Sequence, residues 1–209
     1  MTDNGAELLR AIRRIRDFYN DVGQLLVTAQ TLMAEHGWET ARDSTCLFGL
    51  SYSASQGKQW LPRFAIRKMT NPEAYPRVIA TVSVLLDDVD ASSKLDEPVV
   101  TAGFFLMSSD QGELENWNAC GFGWRGWAAD GKPHTVTDTD PNWKSNWGWR
   151  WHEGFAQPLV SVTDQASLEA LVVKPLLAMI SAYKGFATNA SPDTQGPGIL
   201  TGGEQPQTT

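Results

Sequence analysis

Cysteine and histidine are scarce in this chain, and the shortage excludes several kinds of protein. The two cysteines, Cys46 and Cys120, are too few for a disulfide-rich scaffold; they could pair, but we expect two reduced thiols in an intracellular protein. No CxxC or HExxH motif is present, so neither a zinc ribbon nor a zincin-type protease is indicated. With three histidines, the chain has few residues for general acid–base catalysis.

Basic charge and long apolar runs are missing as well. The chain has 17 Lys and Arg against 24 Asp and Glu, and its net charge of −7 argues against binding to a nucleic-acid backbone. No run of about 18 apolar residues occurs, and the N-terminus is polar and acidic. We therefore expect no membrane span, no signal peptide and a cytoplasmic location. The phosphate-loop motif GxxxxGK[ST] and the GxSxG nucleophile elbow are also absent.

Tryptophan, in contrast, is abundant and clustered. Seven of the nine tryptophans fall between Trp117 and Trp151. Tryptophan has a large flat ring and one N–H that needs a hydrogen-bond partner when it is buried. Such a dense cluster predicts a packed aromatic layer, a surface on which a ligand or partner stacks, or both.

The first part of the chain has the pattern of one long helix. Apolar residues recur with gaps of four and three from Leu8 to Met33, a heptad rhythm that predicts a continuous apolar stripe. Asp3 or Asn4 can cap the start, and Gly37 follows as a stop signal. We expect this helix to pack in the core; a contact with a second copy or another partner is the other interpretation.

Three segments rich in β-branched and aromatic residues follow, at residues 60–69, 77–86 and 99–107. Their short connections favour neighbouring antiparallel strands over helical crossovers. A second helix is expected near residues 164–182, capped by Thr163 or Asp164 and kinked by Pro175.

The order of these segments predicts an α+β domain. We expect an antiparallel twisted sheet of about five or six strands, with the long N-terminal helix and the kinked C-terminal helix packed on one face. The other face is then expected to be free to carry the tryptophans. Residues 1–186 are predicted to form this single domain, and residues 187–209 a flexible C-terminal tail.

The predicted site is a Trp/Arg-rich surface within the tryptophan cluster. Trp147, Trp149 and Trp151 are two residues apart, so in a strand they would share one face. Interleaved arginine and tryptophan are typical of surfaces that bind bases, sugars or peptides by stacking and cation–π contact. The candidate binding residues are Trp124, Arg125, Trp127, Trp147, Trp149, Arg150, Trp151 and His152.

Acidic residues cluster between Asp87 and Asp90, and again at Asp138 and Asp140. Their oxygen atoms could bind Mg²⁺ or Ca²⁺, but neither cluster has calcium-loop spacing with a closing glutamate. Lys68 could complete a nuclease-like set with the first cluster, yet no tight spacing supports it. We therefore predict neither a metal nor a cofactor.

Together these patterns favour a non-enzymatic binding or assembly protein. Its Trp/Arg-rich surface would hold a protein partner or a stackable small ligand, and a homo-oligomer formed through the same surface is compatible. The alternative is a hydrolase or nucleotide-processing enzyme. Its site would lie at the aromatic face, with His152 and Glu153, or the loop with Asp138 and Asp140, as the reacting groups.

Overall fold

The computed structural model of this protein describes residues 4–41, 46–48, 61–62, 64–86, 95–107, 134–135 and 149–183, with the backbone alone at 46–48, 134–135 and 149–152. In chain order the elements are helix α1 (Asn4–Ala34), strands β1 (Glu39–Thr40), β2 (Cys46–Phe48), β3 (Phe64–Asn71), β4 (Tyr75–Leu85), β5 (Val99–Met107), β6 (His134–Thr135) and β7 (Trp149–Pro158), a 3-10 turn (Leu159–Ser161) and helix α2 (Gln165–Ala182).

The strands form one antiparallel sheet. Its order is β1-β3-β4-β5-β7-β6, and β2 also pairs with β3. Four long neighbours, β3, β4, β5 and β7, make up the body of the sheet, and the other three strands have two or three residues each. The predicted α+β fold with an antiparallel sheet is confirmed.

Two of the three predicted strands differ from the structure at their ends. Strand β5 has the predicted bounds, but β3 begins at Phe64 rather than at residue 60. Pro62 precedes it and has no N–H to donate to a ladder. Strand β4 begins earlier than predicted, at Tyr75, because the turn after β3 is tight: the Ala74 N–H donates to the Asn71 Oδ1 at 3.0 Å.

One face of the sheet, the helix side, packs against both helices. Alternate sheet residues such as Ala102, Phe104 and Phe155 join one apolar core with buried residues of α1 and α2 such as Leu26 and Leu176. Burial of these side chains removes apolar surface from water, which is the main favourable contribution to folding.

The opposite face, called the second face below, is also buried. Phe64, Ile66, Ile79, Leu85 and Phe105 are at most 2 % exposed, although they do not belong to the helix-side core. This face is therefore covered rather than open to solvent at the residues that the structure describes. A strand whose two faces are both buried has a mostly apolar sequence, as from Val78 to Leu85, and alternation cannot show which face is covered.

Helix α1 ends as the sequence predicts. Gly37 has φ of 81°, a left-handed conformation, and the Gly37 N–H donates to the Ala34 carbonyl at 3.0 Å. The turn delivers Trp38 into the core, where it is 1 % exposed and stacks on Tyr75 with ring centroids 5.6 Å apart. Trp38 therefore has a structural role.

Helix α2 starts at a capping box and changes its hydrogen-bond pattern midway. The Ser167 N–H donates to the Asp164 carboxylate at 2.7 Å, and the Asp164 N–H donates to the Ser167 hydroxyl at 3.0 Å. From Glu169 to Val173 the turn is π-helical. Pro175, which lacks an N–H, lies two residues after this turn, so the wider turn lies where the α-helical ladder is interrupted. The kink at Pro175 stays a prediction.

Among the described helices, α2 is long and apolar enough to cross a membrane by length and composition, with a mean hydropathy of 1.3 over 18 residues. Six of these residues are buried in the protein, namely Leu168, Val172, Val173, Leu176, Met179 and Ile180. Core helices pass the same test, so this property is weak evidence for a membrane segment.

Candidate functional site

Strand β7 brings the C-terminal end of the tryptophan cluster into the sheet, beside β5. The register pairs Trp149 with Met107 and Trp151 with Phe105. Phe105 belongs to the second face, and side chains alternate between faces along a strand. The backbone positions of Trp149 and Trp151 therefore both lie on the second face, away from the helices.

A β-bulge at His152 separates these tryptophan positions from Glu153. Phe104 pairs with Glu153 and Phe105 pairs with Trp151, so His152 is one extra residue in β7. In a regular strand Trp151 and Glu153 would share a face. Because of the bulge, Glu153 lies on the helix side, opposite Phe104.

Arg150 also differs from the tryptophans in its place in the sheet. It pairs with Leu106, which belongs to the helix-side core. The alternation of Trp149, Arg150 and Trp151 thus distributes arginine and tryptophan positions over two faces of the sheet.

The centre of the second face is polar, although it is buried. Thr81, Ser83 and Thr101 lie there on two adjacent strands and are at most 1 % exposed. We call these three residues the hydroxyl patch. Ser83 and Thr101 are directly opposite each other in the register of β4 and β5. The Thr81 hydroxyl donates to the Gly103 carbonyl at 3.4 Å.

The other two hydroxyls of the patch differ from that of Thr81. Neither the Ser83 Oγ nor the Thr101 Oγ1 has a hydrogen-bond partner in the part of the chain that the structure describes. Directly opposed Ser and Thr side chains commonly bond to each other, but these two do not. Leaving a buried hydroxyl without a partner costs about 1–3 kcal/mol. Two such groups side by side require a physical reason.

On strands β5 and β7, the residues in and next to the hydroxyl patch are small. Gly103 pairs with Gly154, and Thr101 pairs with Ala156. All four residues are buried. Large side chains lie beyond both ends of these small residues: Phe105 opposite Ile79 at one end, and Val99 opposite Leu85 at the other.

Lys68 borders the hydroxyl patch on strand β3. It pairs with Thr81 and is 2 % exposed. Burial strips water from an ammonium group, so such a lysine needs compensating interactions, and Lys68 has interactions of its own within the protein. The second face therefore combines hydroxyls, one amine and aromatic positions.

Glu153 is the acidic residue of strand β7, and its side chain is partly buried. Desolvation by burial raises the pKa of its carboxyl above the usual value of 4.5. A carboxyl with a raised pKa can act in proton transfer, but the bulge places it across the sheet from the tryptophan positions.

Several predicted site residues lie outside the described part of the chain. They are Trp124, Arg125, Trp127 and Trp147, together with the acidic clusters near Asp87 and Asp138. His152 lies within β7, where the backbone alone is described. Within the described ranges, no group of three or more His, Cys, Asp or Glu residues could hold a metal ion.

The sequence analysis did not identify Ser83 and Thr101 as site residues. Thr and Ser occur in strands for ordinary reasons, and threonine favours a strand by its branched Cβ. The signal that could have found them is positional. Thr81 and Ser83 alternate within an otherwise apolar strand, and Thr101 and Gly103 do the same in the next strand.

No protein-family model, curated protein or solved structure matches the chain.

Proposed function

We propose that this protein is a non-enzymatic binding protein that holds a flat, hydrogen-bonding small molecule against the second face of its sheet. The ligand would bond to the hydroxyl patch and stack on the Trp/Arg-rich segment that enters the sheet at β7. Nucleosides and sugars are the chemical classes that combine a flat surface with several hydrogen-bonding groups.

The observation that supports this proposal is the pair of unsatisfied hydroxyls, Ser83 and Thr101. They are buried, adjacent and without a partner in the described residues. A ligand that supplies a donor and an acceptor would offset the cost of their burial, and an ordered water would offset it less specifically. Gly103 and Gly154 have no side chain, so a bound molecule can approach the backbone of the sheet closely at this point.

The distances along the strands suit a ligand of modest size. From Thr101 to Phe105, the partner of Trp151, is four residues, or about 13 Å at the rise of an extended strand. A nucleoside-sized molecule can reach from the hydroxyls toward the tryptophan positions. A protein partner instead would need an exposed surface, and the described residues of this face are buried.

The alternative function, a hydrolase or nucleotide-processing enzyme, has weaker support. The raised pKa of Glu153 and the bulge at His152 favour it, because bulges often re-aim side chains next to active sites. The register opposes it, since Glu153 lies on the helix side and the tryptophan positions lie on the second face.

The proposal is tested by titrating tryptophan fluorescence with adenosine, AMP and glucose. The wild type is expected to respond saturably to at least one of them. In the double variant Ser83→Ala/Thr101→Val, affinity should fall at least about tenfold, because two hydrogen bonds to the ligand are lost. The same variant should unfold at an equal or higher temperature without ligand, since it removes two unsatisfied polar groups.

Thr81→Val is the matched control. It removes a hydroxyl from the same patch, but that hydroxyl already bonds to the Gly103 carbonyl. It should lower the melting temperature of the free protein. The proposal fails if no probe changes the fluorescence, or if the double variant binds as well as the wild type. Turnover of AMP that His152→Ala abolishes would favour the enzyme instead.

A further inference from the structure

The first half of helix α1 presents an apolar surface that the rest of the described protein does not cover. Five large apolar side chains there are between 38 and 63 % exposed: Leu8, Leu9, Ile12, Ile15 and Phe18. Single exposed apolar residues are ordinary, but five on neighbouring turns of one helix form a patch. This patch is called the α1 stripe below.

The α1 stripe continues a pattern that is buried further along the same helix. Leu8, Ile12 and Ile15 are followed at the same heptad spacing by Val22 and Leu26. These last two are at most 4 % exposed and belong to the helix-side core. The apolar face of α1 is thus continuous: its second half packs against the sheet and α2, and its first half, the α1 stripe, is exposed.

A cleft lies where the exposed half of the helix meets the protein body. It has a volume of about 570 Å³ and is lined by Phe18, Val22 and Leu25 of α1 and by Leu159, Val162 and Leu168 from the region where α2 begins. The exposed stripe runs directly into this cleft, because Phe18 belongs to both. A groove lined by apolar side chains is the kind of site that binds the apolar face of a helix.

Charge distinguishes the cleft from the exposed half of the helix. Residues 4–18 contain four arginines, one glutamate and one aspartate, so this half has a net charge of +2. The two charged residues that line the cleft, Asp21 and Asp164, are both acidic. The two surfaces are complementary in charge, but one helix cannot fold back into its own cleft.

We propose that α1 pairs antiparallel with α1 of a second copy of this chain, each copy placing its exposed stripe on the other's stripe and its N-terminal end in the other's cleft. A two-fold arrangement makes both contacts at once with the same surface of each copy. The overlap from Leu8 to Val22 is about 21 Å long, four turns of helix. The contact is independent of the ligand site on the second face.

The antiparallel direction follows from the charges and the cleft. A parallel pair would align the arginine-rich halves with each other and leave both clefts empty. A membrane surface would contact the exposed stripe but leave the cleft empty, whereas a second copy accounts for both features.

Sedimentation of the full chain at micromolar concentrations tests the pairing. The wild type should sediment as two copies. Ile12→Glu/Ile15→Glu should sediment as one, with the dissociation constant raised at least about a hundredfold, because each buried isoleucine contributes at least about tenfold. Both residues are exposed in the single chain, so its helix content by circular dichroism should not change.

Charge-swapped variants test the geometry. Arg10→Glu/Arg14→Glu makes the exposed half acidic, and Asp21→Lys/Gln24→Lys makes the cleft basic. Each variant alone should associate at least about tenfold more weakly than the wild type, because like charges then meet at both ends. A mixture of the two should restore the dimer, since both contacts are complementary again.

The proposal is overturned if the wild type is a monomer, or if the isoleucine variant remains a dimer. It is also overturned if the mixed charge variants pair no better than either does alone. A monomer that binds vesicles of anionic phospholipid would show that a membrane covers the stripe.

Discussion

At the residue scale, the burial of Glu153 makes stability depend on pH. Desolvation raises the pKa of this carboxyl in the folded protein. Between the unfolded and the folded pKa the folded protein binds more protons, so stability falls as pH rises through this interval. Glu153→Gln should therefore raise the melting temperature at neutral pH and leave it nearly unchanged well below pH 4.5, the usual value. Calorimetry at both pH values measures the difference.

Glu97→Gln is the matched control for this prediction. Glu97 is exposed, so the same substitution there should change the melting temperature little at neutral pH. A melting temperature that falls at neutral pH in Glu153→Gln would contradict the account, because it would mean that the charged carboxylate is stabilised where it lies.

The pKa of Asp164 is shifted in the opposite direction from that of Glu153. The Ser167 backbone N–H and hydroxyl lower the pKa of its carboxyl, because they bond to the charged form. Its contribution to stability is present above the unfolded pKa and is lost as pH falls through the folded pKa. Asp164→Ala should lower the melting temperature at neutral pH. Asp164→Asn should lower it less, since asparagine is also a good helix cap.

The loss caused by Asp164→Ala should shrink in acid, when the wild-type carboxyl is protonated as well. Thermal unfolding of the wild type, Asp164→Ala and Asp164→Asn from neutral to acidic pH provides the measurement. A loss that is the same at all pH values would show that the cap acts without its charge.

At the element scale, the two helices and the antiparallel strands were predictable because their signals are local. The heptad rhythm, Gly37 and the Asp164 cap each depend on a few neighbouring residues. What covers each half of the apolar face of α1 was not predictable, because periodicity shows that a face is apolar and not which surface packs against it.

The strand β7 shows why the candidate site was only partly predictable. Spacing alone places Trp149 and Trp151 on one face, as the register has it. The same spacing would add Glu153 to that face. The bulge at His152 removes it, and a bulge depends on pairing with a distant strand, β5. The unsatisfied state of Ser83 and Thr101 likewise depends on contacts between strands.

At the scale of the whole molecule, the sheet is covered on both faces, and its two faces differ in character. The helix side is an apolar core shared with α1 and α2. The second face has large apolar residues at its ends and a polar centre at Ser83 and Thr101. A protein that only needed stability would fill that centre with apolar side chains, since these carry no desolvation cost. The polar centre therefore supports the proposal that this face binds a ligand.

Neighbouring phenylalanines of β5 allow the packing of the two faces to be compared. Phe104 lies on the helix side and Phe105 on the second face, and they are 0 % and 2 % exposed. Phe104→Ala should lower the free energy of unfolding by about 3–5 kcal/mol, and Phe105→Ala by a similar amount if the second face is packed as densely. Val160→Ala, at a residue that is 74 % exposed, should have almost no effect. Urea unfolding of the three variants gives these values. The loss at Phe105 could be far below that at Phe104 without ligand and become as large once a ligand that changes the tryptophan fluorescence is added. That result would mean that the ligand completes the packing of the second face. A small loss that no ligand changes would contradict dense packing there.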